Sequence, residues 1–211
     1  MNKYMGFFEL KALSIPTVPW QQFTRETELN PGLLWTVRTA AESGGDTNLP
    51  RTVGVTAMEA EEKGGQFLEA FGGRGIVVYY PYFIAQKSGV MEIAADKTVI
   101  EAVDRDLWNL VTDGKKDVTV MVSKEASVAG GPDITSARGP SGMRFIGDAA
   151  FLADAELTEL LRYASVIRGR FRDEISEGLS IMAEWSYAFN TDIQHEPAGD
   201  RYLVFYELRS V

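Results

Sequence analysis

Apolar residues recur at helical spacing most clearly in "DAELTELLRYASVIRGRF", where Leu157, Leu160, Leu161, Ala164, Ile167 and Phe171 share one face and Asp154 stands as the N-cap. Elsewhere the pattern is mostly that of strands. "GLLWTVRTA", "RGIVVYYPYFIA", "SGVMEIAA", "KTVIEAV", "DVTVMVS" and "LSIMAEWSYAF" are rich in β-branched and aromatic residues, and "YLVFYELRSV" closes the chain as a last strand. "FFELKALSIPTVPWQQF" predicts a short helix broken by Pro16 and Pro19. "MEAEEKGGQFLEAF" has helical character interrupted by Gly64 and Gly65. "ESGGDTNLPRTVG" and the Gly/Pro/Ser-rich segment 126–143 read as a loop and as a long connection or flap, and Asp113-Gly114 is a turn signal.

Strict alternation divides the last strand into two faces. Tyr202, Val204, Tyr206 and Leu208 point one way; Leu203, Phe205, Glu207 and Arg209 point the other. One face therefore passes from apolar to charged, as a strand does when it leaves a core. Strands through the middle with helices near both ends predict an α+β fold rather than βαβ alternation, without internal repeats.

Composition narrows the chemistry. The 211 residues include no cysteine, which excludes disulfides, thiolate metal sites and a cysteine nucleophile. A net charge of -9 argues against nucleic acid as a partner, since phosphate neutralisation needs a concentrated basic surface. No apolar run reaches the ~20 residues that span a bilayer, and the opening residues lack a signal-peptide pattern, so no membrane partner is expected and the localisation expected is cytoplasmic. His195 is the only histidine and lies in the polar "DIQHEPAGD", an exposed loop rather than a catalytic position.

Four segments, taken in order, resemble the ATP-grasp nucleotide-binding domain of the phosphoenolpyruvate synthase and pyruvate phosphate dikinase family. "KYMGFFELKALSIPTVP" is similar to the family's opening lysine, helix and Ile-Pro-Val-Pro-like exit; "WTVRTAAES" to its Val-Arg-Ser-Ser-Ala strand; "SGVMEI" with "VIEAV" and "GKKDVTVMV" to its central strands; and "MAEW" with "LVFYELRSV" to its Asp-Ile-Glu-Trp and Leu-Gln-Ala-Arg-Pro strands. The chain departs from that pattern in having Met182 for the aspartate, Glu207 for the glutamine and "RDLW" for a Gly-Leu-Gly-Glu. The resemblance implies a single ATP-grasp-like α+β domain over 1–211, with lobe 1 near 1–54, lobe 2 near 55–211 and a nucleotide cleft between them.

It further implies ATP and Mg2+ as cofactors and phosphoryl transfer from ATP to a partner protein or small acceptor. The alternatives are a nucleotide-binding or regulatory protein that has lost turnover, and an interaction module without nucleotide. By resemblance, Lys3 and Arg38 bind the nucleotide phosphates, Arg38, Glu101 and Arg209 are the catalytic candidates, and Glu184 and Glu207 hold the metal. The chemistry suits these types: magnesium takes carboxylate oxygens and completes its shell with water and phosphate, while arginine offers phosphate a fixed donor fork and lysine a point charge. Read without the resemblance, Glu207 and Arg209 are a cross-strand acid and arginine at a sheet end, Arg38 an exposed strand-end residue and Lys3 a solvated terminus. "ESGGDTNLPRTVG" reads as a surface turn, or as backbone N–H groups folded around phosphate. "VVYYPYF" reads as core or as an adenine slot.

Overall fold

The chain divides its strands between two antiparallel sheets, and a computed structural model describes residues 1–45, 49–71, 73–107, 110, 114–123 and 142–211. The first sheet has four strands in the order β1 (Gln21–Gln22), β4 (Gly75–Pro81), β2 (Trp35–Ala41), β3 (Arg51–Val55). The second has six: β10 (Pro197–Ser210), β9 (Ile181–Thr191), β5 (Phe83–Ile93), β6 (Lys97–Asp104), β7 (Val118–Ser123) and β8 (Met143–Gly147). Four helices complete the described chain: α1 (Lys3–Ala12), α2 (Ala57–Phe71), α3 (Asp154–Arg170) and α4 (Arg172–Ser176). Among the described residues no helix is long and apolar enough to cross a membrane.

Three apolar clusters set the order of layers. Leu157, Leu160, Leu161, Ala164 and Ile167 of α3 pack on one face of the six-stranded sheet with Met91, Ile100, Val120, Trp185 and Phe205. Ala40, Ile76, Val78 and Tyr80 of the smaller sheet meet Val103, Ala188, Val204 and Tyr206 of the larger one. Ala57 and Ala60 of α2 cover Val37 and Val77 on the outer face of the smaller sheet. The molecule is thus helix, sheet, sheet, helix, with apolar side chains between every pair of layers.

Several elements differ from the reading of the sequence. α2 is one helix through Gly64 and Gly65, because Phe23 lies so close to Gly64 that a Cβ there would meet its ring at 2.4 Å. The absence of a side chain at Gly64 lets the helix seat. "RTVGV" is strand β3 rather than loop, and the segment called a flap ends in strand β8; residues 124–141 and Asp113 lie outside the described residues. The chain passes from the smaller sheet to the larger at Tyr82, between β4 and β5, whereas the lobe boundary expected was near Gly54. Helix α3 is capped at Ala153 rather than Asp154, with the Glu156 carboxylate accepting from the Ala153 N–H at 2.8 Å. The buried Glu156 also pairs with Lys87 and Arg201, both at 2.7 Å, which ties the start of α3 to β5 and β10.

Helix α1 closes the outer edge of β10. Residues 16–18 run parallel beside that strand, where Phe205 donates to the Pro16 carbonyl at 2.8 Å and Val18 donates to the Phe205 carbonyl at 3.2 Å. Gly6 lets the helix backbone lie directly on the strand, since a Cβ at that position would stand 1.8 Å from the Leu208 carbonyl oxygen. Backbone cannot swing aside as a side chain can. Gly6→Ala is therefore expected to cost at least ~3 kcal/mol, the upper end of overpacking penalties, read as a lower urea midpoint.

Candidate functional site

The last strand does not keep strict alternation. Phe205 pairs with Trp185 and Glu207 with Glu184, so β10 carries one extra residue, a bulge at Tyr206. Beyond it the faces exchange. Leu203, Phe205 and Leu208 all enter the core under α3, while Val204, Tyr206 and Glu207 turn toward the smaller sheet. Strict alternation put Glu207 with Phe205, and that expectation is corrected. The bulge turns a carboxylate that would have pointed into the core toward the other sheet.

The face that looks toward the smaller sheet can be followed row by row across the strands. Val204, Ser186, Ser88 and Val103 form one row, partly apolar and joined by a buried Ser88–Ser186 hydroxyl contact of 2.8 Å. The next row is Glu207, Glu184, Val90, Glu101 and Thr119. After it come Arg209, Met182, Glu92, Val99, Met121 and Arg144, half-buried to exposed. Polarity rises toward the open end of the layer.

Opposite this face stands Arg38, on the side of β2 that also carries Ala40. Its Nη2 donates to Glu207 Oε2 at 2.7 Å, and Tyr80 lies beside its guanidinium. Lys3, in the first turn of α1, brings Nζ to 3.1 Å from Glu207 Oε1. The helix is held there by Asn2, which caps it by accepting from the Met5 N–H at 3.1 Å and donates to the Ala41 and Glu42 carbonyls at the end of β2. Residues from α1, β2, β9 and β10 therefore converge at one point.

Burial makes these contacts matter. The Arg38 side chain is 12% exposed and that of Glu207 3%, so Arg38 is not an exposed strand-end residue, nor is Lys3, at 21%, a freely solvated one. Burial disfavours the Glu207 carboxylate, but Arg38 and Lys3 outweigh it and hold the group below the ordinary carboxylate value. Burial opposes the charge on Arg38 as well, and its neighbours Tyr80, Glu207 and Glu184 more than restore it. At Glu184 the compensation falls short. Burial, and after it the charge on Glu207, pushes its carboxyl up to about 7, against Arg38, Lys3 and Arg209.

The expected residues thus fall into groups. Lys3, Arg38, Glu184 and Glu207 come together, and Arg209 lies one row further along β10, within electrostatic reach of Glu184. The Nε of Arg209 is buried without a hydrogen-bond partner among the described residues. Glu101 shares a row with Glu184 but is two strands away, roughly 10 Å at the usual strand spacing, and is held by Lys116 and by the Thr119 hydroxyl at 3.3 Å. His195 is exposed in the turn between β9 and β10, with φ 63° and its ring against Tyr82.

Of the aromatics in "VVYYPYF", Tyr80 is buried between the sheets beside Arg38, whereas Tyr79 packs with the cluster under α2. Sequence reading missed Tyr80 and Tyr206 as neighbours of the charges, and also Arg51, which pairs directly with Arg38 across β2 and β3. The pairing of β2 with β3 would have revealed Arg51, had "RTVGV" been read as a strand.

Magnesium fits the two carboxylates on one count. Glu184 and Glu207 are cross-strand partners on one face, and a cation between them would offset the Glu207 charge, which after burial raises Glu184. Among the described residues no group of three or more His, Asp or Glu side chains is placed to hold a metal, so phosphate and water would supply the rest of the shell, as magnesium commonly accepts. A separate small pocket, lined by Thr17, Val18, Phe83, Asn190, Tyr202 and Val204, contains no charged side chain and is not where the charges converge.

No family model matches the chain, and no curated protein matches it. Solved structures do. The chain is similar to D-alanyl-alanine synthetase A from Vibrio cholerae O1 biovar eltor str. N16961, with a TM-score of 0.50 and 13% identity over 98% of this chain and 54% of that one. It is also similar to the D-alanine–D-alanine ligase of Bacillus anthracis, with a TM-score of 0.45 and 15% identity over 98% of this chain and 55% of that one. The chain spans about half the length of these two structures. Identity this low speaks for architecture alone, and the architecture, two antiparallel sheets with flanking helices, is an ATP-grasp-like α+β fold.

Proposed function

We propose that this chain binds ATP with Mg2+ at the open end of the inter-sheet layer and passes a phosphoryl group to an acceptor, in the manner of the phosphoenolpyruvate synthase and pyruvate phosphate dikinase nucleotide domain. The observation that carries the proposal is the convergence of Lys3, Arg38, Glu184 and Glu207 from four separate elements. Bound there, magnesium would neutralise phosphate charge and orient the phosphate chain. Glu184 and Glu207 would hold it. Arg38 would turn its fork to a phosphate, Lys3 would supply a point charge, and the Nε–H of Arg209, buried with no hydrogen-bond partner among the described residues, would donate to a phosphate oxygen. Catalysis in such a site is positioning and electrostatic stabilisation. Glu101, held by Lys116, belongs to the same sheet face but stands apart from the cluster.

A specific observation also favours nucleotide binding without turnover: Glu207 is already engaged by both Lys3 and Arg38, and Met182 stands where the family has an aspartate. Calorimetric titration with ATP, with and without Mg2+, decides whether a nucleotide binds. The expected result is magnesium-dependent binding; no heat with either excludes both readings. Single-turnover release of labelled terminal phosphate then separates a transferase from a binding protein.

A further inference from the structure

Arg38 and Arg51 are direct partners across the antiparallel pair β2 and β3. Opposed residues point to the same face with Cβ atoms about 5 Å apart. The flanking pairs agree on which face this is. Val37, opposite Thr52, and Val55 both belong to the cluster under α2, so Arg38 and Arg51 turn the other way, toward the larger sheet. Arg38 is nearly buried against Glu207, whereas Arg51 is exposed on β3, the edge strand of its sheet. A phosphate held at Arg38 would stand beside Arg51, its cross-strand partner.

We propose that Arg51 is a second phosphate-binding guanidinium of this site, which together with Arg38 spans successive phosphates and selects di- and triphosphates over monophosphates. This rests on the phosphate reading of the site given above. Because Arg51 is exposed, its contribution is screened by salt more strongly than that of Arg38.

The test is calorimetric titration of the full chain, in Mg2+, with inorganic tripolyphosphate, inorganic diphosphate, orthophosphate, ATP and AMP, comparing wild type with Arg51→Gln and Arg51→Lys. Arg51→Gln should bind tripolyphosphate and ATP about tenfold more weakly, a loss of the size of one charge-assisted contact. AMP and orthophosphate should be unaffected, and Arg51→Lys should recover part of the loss. If wild type and Arg51→Gln bind ATP equally, or if AMP binding falls in proportion, the arginine clamp is wrong while the nucleotide proposal stands. If tripolyphosphate binds in an Arg51-dependent way and ATP binds no better, the clamp holds and the site is not built for a nucleoside. Absence of binding by every probe overturns both.

Discussion

Arg38→Ala is expected to destabilise the fold by about 3 kcal/mol and, where ATP binds, to weaken it tenfold to a hundredfold. The stability effect comes from what is left behind. Glu207, 3% exposed, loses a 2.7 Å partner and keeps, among the described residues, Lys3 at 3.1 Å. Breaking one side of a buried ion pair typically costs about 3–5 kcal/mol, and the surviving lysine argues for the lower end. Sequence alone suggested a solvated arginine and almost no change in stability; burial between the sheets reverses that expectation. The double variant Arg38→Ala with Glu207→Gln removes the stranded charge, so it should regain part of the stability without regaining affinity. Urea unfolding and calorimetry on the same samples separate the two effects, and unchanged stability in Arg38→Ala would contradict the buried bridge. Arg38→Lys should restore only part of the affinity, because a point charge cannot reproduce the fork.

Glu184→Gln should make the protein more stable at pH 8 by about 2–3 kcal/mol while abolishing any magnesium-dependent binding. A carboxyl raised from its ordinary 4.5 to about 7 holds its proton more tightly in the folded state than in the unfolded one. Between those values the folded protein binds more protons, so this group lowers stability as pH rises from 4.5 to 7. Above pH 7 the loss is complete, roughly 3 kcal/mol for a shift of this size at 1.36 kcal/mol per pH unit. Below 4.5 it is absent. The glutamine, neutral throughout, should match wild type near pH 4 and exceed it at pH 8. Unfolding curves measured across that range check the sign: equal stability of the two proteins at pH 8 would mean that Glu184 does not feel Glu207 and burial as the structure places them. Together with ATP, Mg2+ should raise the melting temperature of wild type and leave that of Glu184→Gln unmoved.

Much of this architecture is legible in the sequence alone. The 3.6 period of Leu157, Leu160, Leu161, Ala164 and Ile167 depends on the helix's own geometry, and that face is buried as expected. The central strands also stand close to where β-branched and aromatic residues put them, although β5 runs unbroken through what read as two strands. Resemblance named Lys3, Arg38, Glu184 and Glu207 as one set, and the structure brings those four side chains together. Glu101 was named with them and stands apart, because a position on a strand specifies its row but not how many strands separate it from another acid in that row.

The amino-acid sequence by itself determined the inventory of elements and their burial periods, since helical and strand periodicity are local properties of a few consecutive residues. Tertiary structure alone decided which side of β10 carries Glu207. A bulge is an agreement between two strands, and nothing within "YLVFYELRSV" states that Tyr206 will have no partner of its own on β9. The same reason covers the continuous helix through Gly64, which depends on the Phe23 ring, and the burial of Arg38, which depends on the sheet opposite. It also covers the placement of Arg51 beside Arg38, which follows from strand pairing between residues 13 positions apart. Whether a charge is solvated, paired or poised for a ligand is settled by surfaces that are distant in the chain, so it becomes readable only once those surfaces meet.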